Sequence, residues 1–319
     1  MSFLNTAVDR VYVINMDKDT ERMKRFHEQM HKHGIAYTRV PGVVGASVGY
    51  HEALSEFCNQ FCTPGMKGCA LSHRMIWEDM LKNRYENVAV FEDDAILDED
   101  FNAKLRQGWE QLPNDYDLYY LGCDAMCENA DASSKVFNTI LNAHPETVDQ
   151  NLKSVSGSVG SHSYIISEKC AKVILDAPIH THIDFQKHMW INEFNMNAYS
   201  ITPVIVHVNE TGDSGISDSF PKLLNSLIHP ISVFGTRPLD WALSENIIQI
   251  GWYSFNYLLL MLSVLMIFLP YKACLWIIGW ICVEGIYAAD VKNTSKYLQV
   301  LGLVLLVRWT LRRGLNYKE

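Results

Sequence analysis

The chain has 319 residues, 48% of them hydrophobic and 20% charged, with a formal net charge of −9. This excludes a disordered or low-complexity chain, and the acidic balance excludes a general nucleic-acid binder, which needs a basic face for phosphates. The average conceals a split: residues 1–246 carry 20 Lys and Arg against 33 Asp and Glu, while residues 247–319 carry 7 against 3. The expectation is a globular catalytic part over 1–246 and a membrane-anchoring part over 247–319 with two or three hydrophobic helices.

The opening MSFLNTAVDRVYVINMD lacks the charged start and apolar core of a secretory signal. VYVINM (11–16) reads as a buried strand, and residues 17–33, with Met23, Phe26 and Met30 at helical spacing, as the helix after it. YTRVPGVV (37–44) reads as a second strand, CALSHRMIWEDML (69–81) as an amphipathic helix, and NVAVF (87–91) as a buried strand that runs straight into Glu92, Asp93 and Asp94. DLYYLG (117–122) and SYIIS (163–167) read as strands, 168–175 as a helix and SITPVIVHV (200–208) as a late strand, with 128–160 a polar loop region. Strands alternating with helices imply an α/β domain with a mostly parallel sheet.

Residues 246–271 contain no charge, and about 20 apolar residues suffice to cross a ~30 Å hydrocarbon core, so a span is expected there. Residues 273–289 form a return limb despite Glu284, which costs ~3 kcal/mol at mid-bilayer, with Pro270, Tyr271 and Lys272 as the turn. Residues 297–307 are short for a span and suit an interfacial helix, with Arg308, Arg312 and Arg313 at anionic headgroups. The positive-inside rule then gives a multi-pass hairpin with the catalytic part in the cytosol. Six of the eight cysteines lie in the acidic part, in spacings unlike structural zinc sites, and are expected to be reduced cytosolic thiols. The sequons at Asn209 and Asn293 have meaning only in a lumenal domain.

Three successive carboxylates at a strand end repel one another unless a cation neutralises them. Hard oxygen ligands of this kind suit Mg²⁺ or Mn²⁺ on a diphosphate, and in open α/β sheets ligands bind beyond the carboxyl ends of strands. The alternative is a solvated acidic turn. His27, His31 and His33 sit among exposed residue types and do not make a zinc site.

Four ordered segments carry a resemblance: VYVINMDKDTERMKRF (11–26), GCALSHRMIWEDML (68–81), VAVFEDDA (88–95), and SHSYIISEKCAKVIL with HIDF (161–175 and 182–185). Together they resemble the glycosyltransferases of family 25, which include lipooligosaccharide and collagen galactosyltransferases. The likeness covers roughly residues 9–220 and leaves out the apolar tail. It implies a GT-A-type nucleotide-sugar-binding domain, a Mn²⁺ or Mg²⁺ cofactor, a UDP-sugar donor and an inverting transfer of a hexose, galactose first. The acceptor would be a hydroxyl of a glycan, a lipid-linked molecule or a protein.

By the same resemblance, Asn15, Asp17 and Arg22 would lie near the base, ribose or phosphate, with a solvated helix face as the alternative for Arg22. Gly68, Ser72 and His73 would offer a helix start to the diphosphate, although His73 equally reads as a core histidine. Asp94, assisted by Glu92, would hold the metal; Asp93 would hold the donor ribose or orient its neighbours. Asp184 would be the general base, with His180 and His182 as competitors. TGDSGISDS (211–219) is similar to a loop of the collagen enzymes, so Asp213 and Asp218 would touch diphosphate or acceptor. His207 would be an extra metal ligand, although the collagen enzymes carry a histidine nearer Asn209. Two other classes fit the same residues: a metal-dependent phosphohydrolase, and a catalytically degenerate, membrane-tethered sugar- or protein-binding module.

Overall fold

The structure, a computed structural model, describes residues 2–208, 220–233 and 237–316. They form two compact units, one of residues up to 208 and one of 220–233 and 237–316. The second therefore includes residues 220–246 as well as the apolar tail.

The first unit is built on an eight-stranded sheet in the order Thr38–Pro41, Arg10–Asn15, Asn87–Glu92, Ser163–Ser167, Leu118–Tyr120, Ala198–Ile201, Leu152–Ser154 and Glu146–Asp149. Six strands run in one sense. Ser163–Ser167 is antiparallel to both its neighbours, and Leu152–Ser154 is antiparallel to both of its own. The sheet is thus mixed but parallel-rich. Helices cover both faces, and the strands are apolar on both faces for that reason. Tyr12, Val88, Val90, Leu118, Tyr120, Tyr164 and Ile166 pack on one side with Trp77 and Trp190. Val11, Val13, Ala89, Phe91, Tyr119 and Ile165 pack on the other with Phe26 and Phe101. The alternation is the period of two that a pleated strand imposes.

Two stretches differ from the sequence reading. The region 128–160 is not all loop: Asp131 caps a helix, Ala132–Ile140, and two strands extend the sheet edge. Residues 200–208 do not make one strand; Ala198–Ile201 joins the sheet, while Val206–Val208 turns away to pair with Ala95–Leu97. The cysteines differ as well. Cys58–Cys62 and Cys123–Cys127 are disulfides, and Cys69, Cys170, Cys274 and Cys282 are free, so the expectation of uniformly reduced thiols fails. Spacing alone did not show it, because a C-x3-C pair bridges only when the turn brings its Cβ atoms together.

In the second unit the uncharged run 246–271 is not a single span. Asn246–Ile250 and Tyr253–Asn256 form a β-hairpin around Gly251, whose positive φ suits its turn. Asn256 then caps a helix of 12 residues, Tyr257–Phe268, about 18 Å long and short of a bilayer core. Tyr271–Ala288 is, among the described residues, the one helix long and apolar enough to cross a membrane, so a two-span hairpin is not supported. Val291–Asn316 is one continuous helix rather than a short interfacial segment.

Two buried charged residues of this unit, Glu284 and Arg308, find partners within it. The buried Glu284 accepts the backbone N–H groups of Leu223 and Leu224 at 2.7 and 2.9 Å and the Trp280 indole N–H at 3.1 Å. Arg308 donates to the carbonyls of Met266 and Leu269, at the end of the 12-residue helix, and lies over the Tyr271 ring. The disulfide assignment is checked by alkylation. Denatured but unreduced protein should take up label on four of its eight cysteines, and on all eight after reduction; eight before reduction would contradict the two bridges.

Candidate active site

The site lies where the strands Arg10–Asn15 and Asn87–Glu92 end side by side, Ile14 in register with Glu92. Glu92 donates its backbone N–H to the His162 carbonyl, and the chain then turns through Asp93 and Asp94 into Ala95–Leu97. All three carboxylates are thereby held at the carboxyl edge of the sheet. Asn15, from the neighbouring strand, donates to Asp93 at 2.6 Å. Arg22, in the first turn of Thr20–Lys32, reaches Asp93 at 2.7 Å and Asp94 at 2.6 Å. Arg39 fixes Asn15 from the edge strand Thr38–Pro41, donating to its side-chain oxygen at 2.8 Å and its carbonyl at 3.2 Å. Asp17 is the other partner of Arg39 and is largely exposed, on the rim of this constellation.

Glu92 is served separately. Trp77 donates to the Tyr164 hydroxyl at 3.0 Å, which meets His73 Nδ1 at 2.9 Å, and His73 Nε2 lies 3.3 Å from Glu92. With the Trp77 bond fixed as a donor, the Tyr164 proton goes to His73 Nδ1, and the Nε2–H goes to Glu92. Burial pushes the His73 imidazolium down, so the ring is neutral and positions Glu92 by hydrogen bonding.

Gly68, Ser72 and His73 do not lie at a helix start. Thr63 caps that helix and Pro64 opens it, leaving all three inside Pro64–Asn83. A Cβ on Gly68 would meet the Val43 carbonyl at 2.5 Å, and the Ser72 hydroxyl accepts the Val43 N–H at 2.8 Å. These two residues seat the loop after the second strand on the helix; no helix-end N–H groups are available at them for a diphosphate.

Asp184 enters from the first turn of Ile183–Glu193, capped by His182, whose Nδ1 accepts the Asp184 N–H at 3.3 Å. Its carboxylate accepts from the Ser161 hydroxyl and the Gly160 N–H. Burial pushes this carboxyl up, but His182, Lys187 and those two donors together hold it below the ordinary aspartate value. Glu92 and Asp184 are close enough to oppose each other's charge. Between them stands a residue the sequence reading missed. Lys187, 1% exposed, lies 4.1 Å over the Tyr164 ring and 5.0 Å over Tyr120, and its Nζ has no hydrogen-bond partner. Burial lowers its ammonium to about 8, against the attraction of Asp184 and Glu92.

Asp94 is the most strained of the acids electrostatically. Burial and the neighbouring Glu92 raise its carboxyl to about 6, and its Oδ1 is buried without a hydrogen-bond partner. An orphaned carboxylate oxygen beside a second carboxylate fits a hard divalent cation. Cys69, His73 and Glu92 also bring potential ligand atoms within 4.8 Å of one another, a set suited to a softer metal. Burial pushes the Cys69 thiol up and both His73 nitrogens are engaged, so that set is less ready for a metal. His207 pairs with Asp98 on the exposed side of the Ala95–Leu97 ladder. His180 sits in the same turn as His182 and donates its backbone N–H to Gln186. Asn209, Asp213 and Asp218 lie outside the described residues.

Residues 8–186 match the family described as glycosyltransferase family 25 (LPS biosynthesis protein), over more than half the chain and including the three acids, Asn15, Arg22, His73 and Asp184, while Lys187 lies just beyond the match. The chain belongs to glycosyltransferase family 25. Among curated family 25 relatives, a glycosyltransferase 25 family member of Aedes aegypti is 25% identical over 259 residues, 69% of this chain and 40% of that one. Procollagen galactosyltransferase 1-A of Xenopus laevis is 26% identical over 273 residues, 75% of this chain and 41% of that one. A probable inactive glycosyltransferase 25 family member 3 of Bos taurus is 29% identical over 131 residues, 36% of this chain and 22% of that one. The chain thus spans about two fifths of the length of the first two relatives.

The raised Asp94 carboxyl has a consequence for stability. The folded state binds this proton more tightly than the unfolded chain does, so stability falls as pH rises from about 4 through 6. A carboxyl at about 6 against 3.8 corresponds to ~3 kcal/mol, with the attraction of Arg22 already included. In chelator at pH 7, Asp94→Asn should therefore be the more stable protein by about 1–2 kcal/mol, a margin that closes near pH 4. Urea unfolding at the two pH values checks this, and a variant less stable at pH 7 contradicts it.

Proposed function

We propose that this family 25 chain is a metal-dependent, inverting glycosyltransferase that moves a hexose, galactose first, from a UDP-sugar to an acceptor hydroxyl. The observation that carries the reading is the pairing of two unlike acids. Asp94 is half-buried, raised, and has one buried oxygen without a partner; Asp184 is half-buried, ionised and furnished with donors. Acids driven apart in this way take different roles.

Asp184 is the group able to receive a proton from an attacking hydroxyl. Its carboxylate is oriented by Ser161 and Gly160 and kept charged by Lys187 and His182. A single base of this kind, with displacement at the anomeric carbon, inverts configuration. Glu92 and Asp94 would hold Mn²⁺ or Mg²⁺, which supplies positive charge to the departing diphosphate. Asn15 and Arg39 keep Asp93 and the strand ends in place around the donor. A GT-A-type arrangement agrees with a parallel-rich sheet carrying the acids on its carboxyl edge and a reversed strand, Ser163–Ser167, beside them. The name of the procollagen galactosyltransferase relative supports galactose as the first donor to test. The acceptor remains a class: a glycan, a lipid-linked molecule or a protein.

The experiment is UDP release from a panel of UDP-hexoses by the full chain in detergent with Mn²⁺. One donor should be turned over, with loss on chelation and in Asp94→Asn, and Asp184→Asn should lower the rate about 10²–10⁴-fold. Phosphate release without sugar dependence would point instead to a phosphohydrolase. Donor binding without turnover, in the presence of glycan, lipid-linked and protein acceptors, would point to the binding module; the Bos taurus relative is itself named a probable inactive family member.

The second unit we infer to be a membrane anchor. Trp252, Phe268, Leu275, Trp276 and Ile286 are each more than 65% exposed, and its buried Glu284 and Arg308 are both hydrogen-bonded to backbone groups of the same unit. The disulfides of the first unit favour an oxidising compartment over the cytosolic placement drawn from the basic tail. The protein should pellet with membranes and resist alkaline carbonate; recovery in the supernatant would refute the anchor.

A further inference from the structure

The carboxylate site contains a cation of its own, bonded in a way that suits departure. Both ion pairs of Arg22 use the same nitrogen, Nη2, and its Nε is buried without a hydrogen-bond partner. A settled guanidinium–carboxylate pair presents two nitrogens in a fork. The two acids also depend on Arg22 unequally. Asp93 keeps Asn15 at 2.6 Å if Arg22 leaves, whereas Asp94 faces Arg22 through Oδ2 and has Oδ1 unbonded. The Arg22 side chain is 21% exposed, so it has a way out to solvent.

We propose that Arg22 is the resident counter-ion of Asp94, displaced when a divalent cation binds and then available to the anionic diphosphate of the donor. The inference rests on the metal-dependent reading above. A guanidinium and a divalent ion on one carboxylate repel strongly at partly buried sites, so the ion alone has to drive Arg22 off. An ion that arrives with a nucleoside diphosphate meets less opposition, because the released guanidinium gains an anionic partner suited to its fork. Arg22 therefore weakens metal binding in the absence of nucleotide and couples metal to nucleotide in its presence. By linkage, the metal strengthens nucleotide binding by the same factor.

The test measures Mn²⁺ alone, then Mn²⁺ with UDP, by the electron paramagnetic resonance signal of the free ion, on the full chain in detergent. Arg22→Gln should bind Mn²⁺ at least tenfold more tightly than wild type without UDP, while Arg22→Lys, which keeps the charge, stays within threefold. UDP should tighten Mn²⁺ binding at least tenfold in wild type and less than threefold in Arg22→Gln. Asp94→Asn should abolish the site in every background. Equal or weaker Mn²⁺ binding by Arg22→Gln, with Asp94→Asn still disruptive, overturns the displacement and leaves the metal site standing. No Mn²⁺ binding by wild type with or without UDP overturns both readings. The wild-type UDP effect needs no variant, so absence of coupling there overturns the proposal even if Arg22→Gln folds poorly.

Discussion

Concentrating negative charge at one strand end is the constraint around which the first unit is arranged. Glu92, Asp93 and Asp94 follow a strand whose preceding residues are fully buried, so they cannot spread into solvent as a surface turn does. Each is met by a different element. His73 comes from a helix on one face of the sheet, Asn15 from the adjacent strand and Arg22 from the helix after it. Lys187 stands behind them on two tyrosine rings. Four residues from separate elements must therefore dock correctly before the charge is tolerable; Asn15, Arg22 and His73 lie in segments whose sequence resembles the family, and Lys187 lies two residues past the last of them. A buried charge left without its partner is strongly destabilising, which ties the candidate constellation to the fold itself.

The strands and helices around the site were legible because buried elements write their period into the sequence. VYVINM and NVAVF are apolar on both faces, and 168–175 carries helical spacing between a serine cap and a break. Asp184 and the Glu92–Asp93–Asp94 run were legible by type and order. What was not legible depends on three-dimensional neighbours. A lysine on a helix ordinarily faces water, so Lys187 gives no sequence signal of its burial between Glu92 and Asp184. Its spacing of three from Asp184, on one helix face, was the available clue. Gly68 and Ser72 were misplaced for a related reason. The helix begins four residues before Gly68, at a threonine–proline pair that is itself a recognisable start but lies outside the amphipathic run that opens at Cys69.

The second unit shows the limit of a hydropathy count. Residues 246–271 contain no charge, yet Asn246, Gln249, Gly251, Ser254 and Asn256 are polar or flexible enough to fold its first part into a hairpin. The later charges seemed to oppose a membrane role. Glu284 is closed off by two backbone N–H groups and an indole, and Arg308 by two carbonyls left open at a helix end. Each charge thus satisfies backbone groups that lack intrahelical partners, so it serves as a clamp within the bundle and need not meet lipid.

A site built on repulsion is also one that responds to ligands. Were the three acids each fully satisfied, a divalent ion would gain little by entering, since it would have to replace good bonds with others of similar worth. Here Asp93 and Glu92 are well bonded and Asp94 is not, so the unfavourable energy is concentrated on one carboxylate oxygen. On the metal-dependent reading proposed above, affinity for an incoming cation would be set by that difference, and so would the modest instability of the site without one. The same residue cannot be optimised for both. A chain that satisfied Asp94 with a permanent partner would be more stable and would bind metal less well, which is the trade expected wherever a fold stores strain at its reactive centre.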